Sequence, residues 1–197
     1  MIRYSILALA CAGTALLQGC LPAAVVGAGA ATAVVVSDRR QPEVVLGDKR
    51  IEYTGSNRIG DKWGDKAHIN ISCYNYTVLL TGEAPSPEAK SAIEKIAAEV
   101  PQVRNVVNEI EVAGNSSGTS RSSDTLITAK VKGNLLSDSK GNFPSDQVKV
   151  VTERGVVYLM GLVTRQEADA ITDIARSSSG VMKVVRVFEY IEPPTKK

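Results

Sequence analysis

Apolar and polar residues alternate along two stretches of this chain, Ile69 to Thr81 and Val148 to Met160, and each alternation is interrupted once by a short turn. A period of two is the pattern of strands that bury one face. Each stretch therefore predicts a hairpin, with strands 69–74 and 78–81 around Asn75-Tyr76 and strands 148–153 and 156–160 around Arg154-Gly155. Downstream the period lengthens. Ile93, Ile96, Ala97 and Val100 fall at helical spacing, as do Ile171, Ile174 and Ala175, which predicts helices over 86–100 and 165–177. A strand closes each unit, over 105–112 and 183–191, and a helix precedes each hairpin, a weak one over 48–59 and a stronger one over 124–136.

The two units are copies of one another. Ile69, Ile71, Val78, Leu80 and Gly82 match Val148, Val150, Val157, Leu159 and Gly161, always 79 residues apart, and after the glycines the spacing becomes 78, so that Val103 matches Val181 and Val106-Val107 match Val184-Val185. The first copy thus carries one extra residue near Pro85-Ser86-Pro87. Pro87 suits the first turn of a helix, where no backbone donor is needed. An antiparallel hairpin followed by a right-handed strand-helix-strand crossover gives a three-stranded mixed sheet with helices packed on it. The expected fold class is α/β, as two small α+β sandwiches in the order helix-strand-strand-helix-strand. The Gly/Ser-rich segment 113–122 reads as a flexible linker, placing the first domain at 48–112, the second at 123–191 and a tail at 192–197.

The N-terminus has the order of a secretory signal over 1–19: Arg3, an apolar run from Ile6 to Leu17, then Gln18-Gly19. Leu17-Gln18-Gly19-Cys20 resembles a bacterial lipobox, which implies cleavage before Cys20 and lipidation of its thiol and new amine. The apolar run from Leu21 to Val36 is shorter than the roughly 20 residues a span needs and contains Pro22, Gly27 and Gly29, so 20–47 reads as a membrane-proximal tether. Leu21 is not aspartate, so the signal for inner-membrane retention is absent and the outer membrane is favoured. Removal of the signal takes away Arg3 alone, leaving 22 basic and 21 acidic residues. That balance does not call for a nucleic-acid partner.

Candidate catalytic chemistry is sparse. His68 is the single histidine and has no nucleophile motif beside it. Cys73 is the one cysteine left once Cys11 is removed and Cys20 lipidated, which rules out an internal disulfide and a Cys/His metal cluster, and it shares a strand face with Ile69 and Ile71 as a small hydrophobe would. Gly82 and Gly161 lie outside any glycine run that opens a helix, so they read as structural glycines rather than a phosphate loop. Trp63 is expected to cover the local core, and Tyr74 and Tyr76 to be available for an interdomain contact. Neither a cofactor nor a metal is expected, and the chain reads as a non-enzyme.

The helix 124–136 carries the strongest functional signal. Ile127, Val131 and Leu135 recur every four residues and should face the sheet, which leaves Leu126 and Leu136 off the core stripe beside Lys130 and Lys132. Apolar tips flanked by ammonium groups suit an anionic membrane interface. The same pattern also suits an ordinary amphipathic helix whose leucines cover the other domain. The first copy is the poorer one: Gly55 stands where the second has Val131, and Gly60-Asp-Lys-Trp-Gly-Asp-Lys66 is polar.

Val157-Tyr158-Leu159-Met160-Gly161 closing a hairpin, and Gly180-Val181-Met182-Lys183-Val184-Val185 following a helix, resemble the BON domain; Val78-Leu79-Leu80-Thr81-Gly82 fits the same pattern, with Gln102 in place of the second glycine. The resemblance spans residues 48 to 191. Two BON domains behind a lipobox imply a periplasm-facing outer-membrane lipoprotein that binds anionic phospholipid of the phosphatidylglycerol kind, supports outer-membrane integrity and gathers at the division site. They also imply lipid contact on the first helix of the second domain, with Leu126 where relatives carry an aromatic anchor. The expected lipid-binding set is Leu126, Ile127, Lys130, Val131, Lys132, Leu135 and Leu136. The alternative is an envelope scaffold in which the repeats bind envelope or division proteins and lipid serves only as anchor.

Overall fold

The computed structural model describes residues 38–114, 118–137, 143 and 145–193. The signal, the lipobox with Cys20 and most of the tether lie outside the described residues. From Arg39 onward the chain forms one compact unit. Its elements are α1 (Pro42–Trp63), β1 (His68–Tyr74), β2 (Thr77–Ala84), α2 (Pro87–Ala98), β3 (Asn105–Asn108), β4 (Glu111–Val112), α3 (Gly118–Ser137), β5 (Lys149–Glu153), β6 (Val156–Val163), α4 (Arg165–Ser177) and β7 (Lys183–Tyr190), with a short 3-10 turn at Ser145–Gln147. The α+β class and the repeated order are those expected. Both leading helices are longer than the sequence pattern shows. Pro42 starts α1 from its first turn, and α3 takes up part of the segment expected to be linker.

In each copy the hairpin is antiparallel and the crossover parallel, giving the strand orders β1-β2-β3 and β5-β6-β7. Both hairpin turns use left-handed backbone, at Asn75 and Tyr76 (φ 50° and 65°) and at Arg154 and Gly155 (φ 51° and 75°). Ser86 caps α2 by accepting the Ala89 N–H at 3.2 Å, and Thr164 with Glu167 forms a reciprocal capping box on α4. The expected strand 105–112 is broken into β3 and β4. Gly82, with φ of +111°, lies opposite the break: β2 pairs with β3 as far as Leu80 and with β4 from Glu83, while its pairing with β1 continues through Gly82. Its counterpart Gly161 pairs regularly with Phe188, and β7 runs unbroken.

The strands were expected to bury one face; the central ones bury both. Val78 and Leu80 enter the core beneath α1 and α2, and Val157 and Leu159 the core beneath α3 and α4. Leu79, Tyr158 and Met160 point the other way and meet with Tyr74 in a third buried cluster, bordered by Val107, Val151, Leu162, Val185 and Val187. The sheets therefore pack against each other in a stack of helices, sheet, sheet and helices. This explains why Val78-Leu79-Leu80 and Val156 to Met160 read as continuous apolar runs. Tyr74 supplies the interdomain contact suggested for the tyrosines. Tyr76 instead packs on its own domain's core beneath the Arg104 guanidinium, 4.6 Å from the ring centre, and Trp63 also covers that core.

Gly55 has a clear packing reason. A Cβ there would stand 2.4 Å from Ile71 Cδ1. The equivalent pair in the second copy is Val131 over Val150, so volume missing from the helix in one copy is supplied by the strand beneath it.

Candidate functional site

The surface that carries the candidate chemistry is the outer side of α3, and buried hydrogen bonds fix that helix to the rest of its domain. The Asp124 carboxylate lies inside the helix and accepts the N–H groups of Arg154 and Gly155, at 2.8 and 2.8 Å, so it holds the hairpin turn. Thr128 Oγ1 donates to Thr152 Oγ1 at 2.7 Å, and Asn134 Nδ2 to Ser178 Oγ at 2.8 Å. Asp48 repeats the device in the first copy, accepting from Asn75 N and Tyr76 N at 2.8 and 2.8 Å. The sequence signal for both is an aspartate three residues before the first core isoleucine, at Asp48/Ile51 and Asp124/Ile127.

The seven residues expected to bind lipid divide into two groups. Ile127, Val131 and Leu135 are 8%, 0% and 2% exposed and belong to the domain core. They are corrected to core residues, because reaching a membrane would require unfolding the domain. Leu126 and Leu136 are 63% and 66% exposed, and Lys130 and Lys132 are exposed with them. With side chains about 100° apart around a helix, Leu126, Ala129, Gly133 and Leu136 fall within about 80° of one another. Lys130 and Lys132 each stand about 40° beyond an edge of that stripe. All four stripe residues are exposed, and nothing lies within 4 Å of the position a Gly133 Cβ would take. The leucines do not cover the other domain. Sequence reasoning missed Ala129 and Gly133, although each lies three residues from a leucine and the two lie four apart.

Of the two structural glycines, Gly82 has a positive φ and a Cβ there would fall 1.9 Å from the His68 carbonyl oxygen; a Gly161 Cβ would meet its nearest neighbour, Val163 Cγ1, at 3.5 Å, an ordinary contact. Cys73 is buried, its Sγ donating to Asp48 Oδ1 at 3.2 Å, and burial pushes its thiol far up, out of the nucleophilic range. His68 opens β1 with Nδ1 3.2 Å from Glu83 Oε2.

Charged groups at the domain junction went unread in the sequence. Arg39 and Arg40, which look like the end of a tether, each grip a different domain. Arg39 donates to both Glu167 oxygens at 2.7 and 2.8 Å and to the Leu162 carbonyl at 2.8 Å, in the second copy. Arg40 donates to Asp48 at 2.8 Å and lies over the Tyr74 ring at 3.8 Å, in the first. Lys149 reaches across to Glu52 and to the Cys73 carbonyl. The Arg39 hydrogen bonds hold the Glu167 carboxyl below the usual carboxylate range. Burial pushes Glu52 up, but the hydrogen bonds from Lys149, Cys73 N–H and Lys49 outweigh it and hold that carboxyl low.

Comparison with known proteins adds independent findings. The family model described as the BON domain matches residues 56–114 and 123–192. The chain is 37% identical over 188 residues to the outer membrane lipoprotein DolP of Haemophilus influenzae, covering 94% of this chain and 96% of that one. It is 36% identical to a 21 kDa hemolysin of Actinobacillus pleuropneumoniae, over 74% of this chain and 73% of that one. It is 32% identical to the osmotically-inducible protein Y of Escherichia coli, over 59% and 58%. Among the described residues, no helix is long and apolar enough to cross a membrane.

Proposed function

The chain belongs to the BON-domain family, and from that membership we propose that it is a periplasm-facing outer-membrane lipoprotein, held by lipidated Cys20, that binds anionic phospholipid through the outer face of α3. The likeness to a relative named as an outer membrane lipoprotein supports the location. In this reading the protein is not an enzyme: it supports outer-membrane integrity and gathers at the division site, where membrane is being remodelled. The observation that carries the reading is the exposed stripe Leu126, Ala129, Gly133 and Leu136 between two lysines. The charged side chains of α3 apart from buried Asp124 are Arg121, Lys130 and Lys132, all basic. Leucines at the acyl boundary bury apolar area, small residues between them let the helix lie close, and each lysine near an anionic surface contributes about 1 kcal/mol.

The test is sedimentation of the soluble unit, residues 38–197, with phosphatidylglycerol vesicles and with neutral phosphatidylcholine vesicles. Replacing Lys130 and Lys132 together by Gln removes about 2 kcal/mol of attraction, or roughly 30-fold in affinity. Leu126→Glu should weaken binding further, with the circular dichroism spectrum unchanged. Binding to phosphatidylglycerol that survives both variants refutes the lipid reading.

The alternative, an envelope scaffold, is favoured by one observation on the first copy. Leu46 and Tyr53 lie two turns apart on one side of α1 and are 66% and 72% exposed. Exposed leucine and tyrosine at that spacing suit a protein partner. Crosslinking to an envelope protein that is lost on Tyr53→Ala and retained in the α3 variants would favour this reading.

A further inference from the structure

His68, Glu83 and Glu153 converge at one end of the sheet-on-sheet contact. His68 and Glu83 are direct partners across the β1/β2 pairing, and Glu153 comes from the other domain, at the end of β5. One donor atom from each lies within 4.8 Å of the other two. We propose that these three side chains bind a divalent transition-metal cation of the zinc class, which joins the two domains. This is a different site from the α3 face and does not depend on the lipid reading.

Charge is the first support. The Glu83 and Glu153 side chains belong to residues 0% and 6% exposed, and two carboxylates buried side by side repel unless cations neutralise them. Asp124 and Glu111 add negative charge nearby. One cation beside them is Arg154, whose Nη1 is 3.7 Å from Glu83 Oε1 while its Nε is 3.1 Å from Glu111.

Geometry is the second. The Arg154 guanidinium stands 3.7 Å from Glu83 Oε1 and His68 Nδ1 3.2 Å from Glu83 Oε2, so the guanidinium and the imidazole face different oxygens of that carboxylate. Asn70 Nδ2 donates to Glu153 Oε2 at 2.8 Å and fixes that carboxylate in turn. A supporting hydrogen bond of that kind is usual around a metal ligand. Tetrahedral zinc bonds to nitrogen and oxygen of about 2.0 to 2.2 Å place two ligand atoms about 3.3 to 3.6 Å apart, so atoms that now lie within 4.8 Å of one another must draw together by up to about 1.5 Å, a movement shared between the two side chains. The His68 side chain is 21% exposed and leaves a path for the ion and for a water as fourth ligand. One imidazole with two carboxylates suits zinc or manganese better than calcium, which takes six to eight oxygens.

One cysteine left in the mature chain and one histidine exclude a Cys/His cluster but not this group. A site built mainly of carboxylates, with one ligand from the other domain, has no spacing to find.

The experiment uses intact, untagged protein in detergent, stripped with EDTA and titrated with zinc chloride, and with magnesium chloride in parallel. His68 is the only imidazole in the chain, so its ring protons in the NMR spectrum report directly on coordination. The expected result is one zinc per chain, a shift of the His68 resonances, and a Tm raised by about 5–10 °C at a hundredfold excess over Kd, with no magnesium response. His68→Ala and Glu153→Gln should each weaken zinc binding at least tenfold. The proposal fails if zinc produces no saturable one-to-one binding, if the His68 resonances stay in place, or if binding persists unchanged in both variants. Should His68→Ala fold poorly, Glu153→Gln and the imidazole resonances of the unaltered protein decide the matter.

Discussion

The two glycines that close the hairpins occupy matching places in the repeat, and alanine should be costly at one and nearly neutral at the other. At Gly82 φ is +111°, and an added Cβ would fall 1.9 Å from the His68 carbonyl oxygen, 2.9 Å from its carbon and 3.2 Å from Ile69 Cα. All three atoms are backbone of the neighbouring strand, so no side chain can swing aside. Holding alanine at such a φ costs about 1–3 kcal/mol, and moving β1 off β2 adds to it, while the stiffer unfolded chain returns about 0.4–1 kcal/mol. A net loss of about 3 kcal/mol is expected for Gly82→Ala. At Gly161 the Cβ would meet Val163 Cγ1 at 3.5 Å, the Gln147 carbonyl oxygen at 3.7 Å and Phe188 Cδ1 at 3.8 Å. These are ordinary contacts, and Gly161→Ala should lie within about 0.5 kcal/mol of the parent. Thermal melts followed by circular dichroism separate the two cases. For a chain of this size each kcal/mol moves Tm by about 2–4 °C, so Gly82→Ala should melt about 6–12 °C lower and Gly161→Ala almost unchanged. Equal losses from both substitutions would refute the argument, since they would mean that the shared pattern, not the local backbone, sets the requirement.

The volume exchange between copies gives a second test: Gly55→Ala alone should destabilise because its Cβ meets Ile71 Cδ1 at 2.4 Å, and adding Ile71→Val should restore at least half of the loss, measured as a favourable coupling in a denaturation double-mutant cycle. Acid sensitivity gives a third. Glu167 and Glu52 are held below their ordinary range, so the unfolded chain protonates them first as the pH falls; their contribution is complete above the unfolded value of about 4.3 and is lost below it, through the folded values. Arg39→Ala and Lys149→Ala should each lower Tm at pH 7 and flatten its fall between about pH 5 and 3, whereas an unchanged slope would show that these junction pairs do not set acid stability.

Most of the architecture was legible because it was written twice. Strand alternation, the helical spacing of Ile93 and Ile171, and the turns at Asn75-Tyr76 and Arg154-Gly155 each had a second copy to support them. What escaped was what the copies do to one another. Leu79 between Val78 and Leu80 marks a strand buried on both faces, yet pairwise alternation hides the second sheet that covers it. Gly/Ser composition hid the early part of α3, since it reads as linker until tertiary contacts stabilise the helix, while the largely apolar start of α1, Pro42 to Gly47, reads as a continuation of the tether before it. On the α3 face, spacing exposes Leu126 and Leu136, but it does not separate them from Ile127, Val131 and Leu135, because core stripe and outer face share one helical segment. The arginine pair, the Glu52–Lys149 bridge and the histidine-carboxylate group join residues far apart in sequence, where no local pattern exists.

Packing one bare sheet face on another has a consequence for how such a chain could arise and vary. A single copy would present Leu79, Tyr74 and Val107, or Tyr158, Met160, Val185 and Val187, to water, and would be soluble only by pairing with a second molecule at sufficient concentration. Carried on one polypeptide, the partner is always present at the effective concentration set by a short connection. The assembly then forms as readily in dilute solution as in a concentrated one. It is also released from symmetry: a substitution such as Gly55 against Val131, or Gln102 against Gly180, enters once rather than twice, and one half can acquire a surface that the other half need not share.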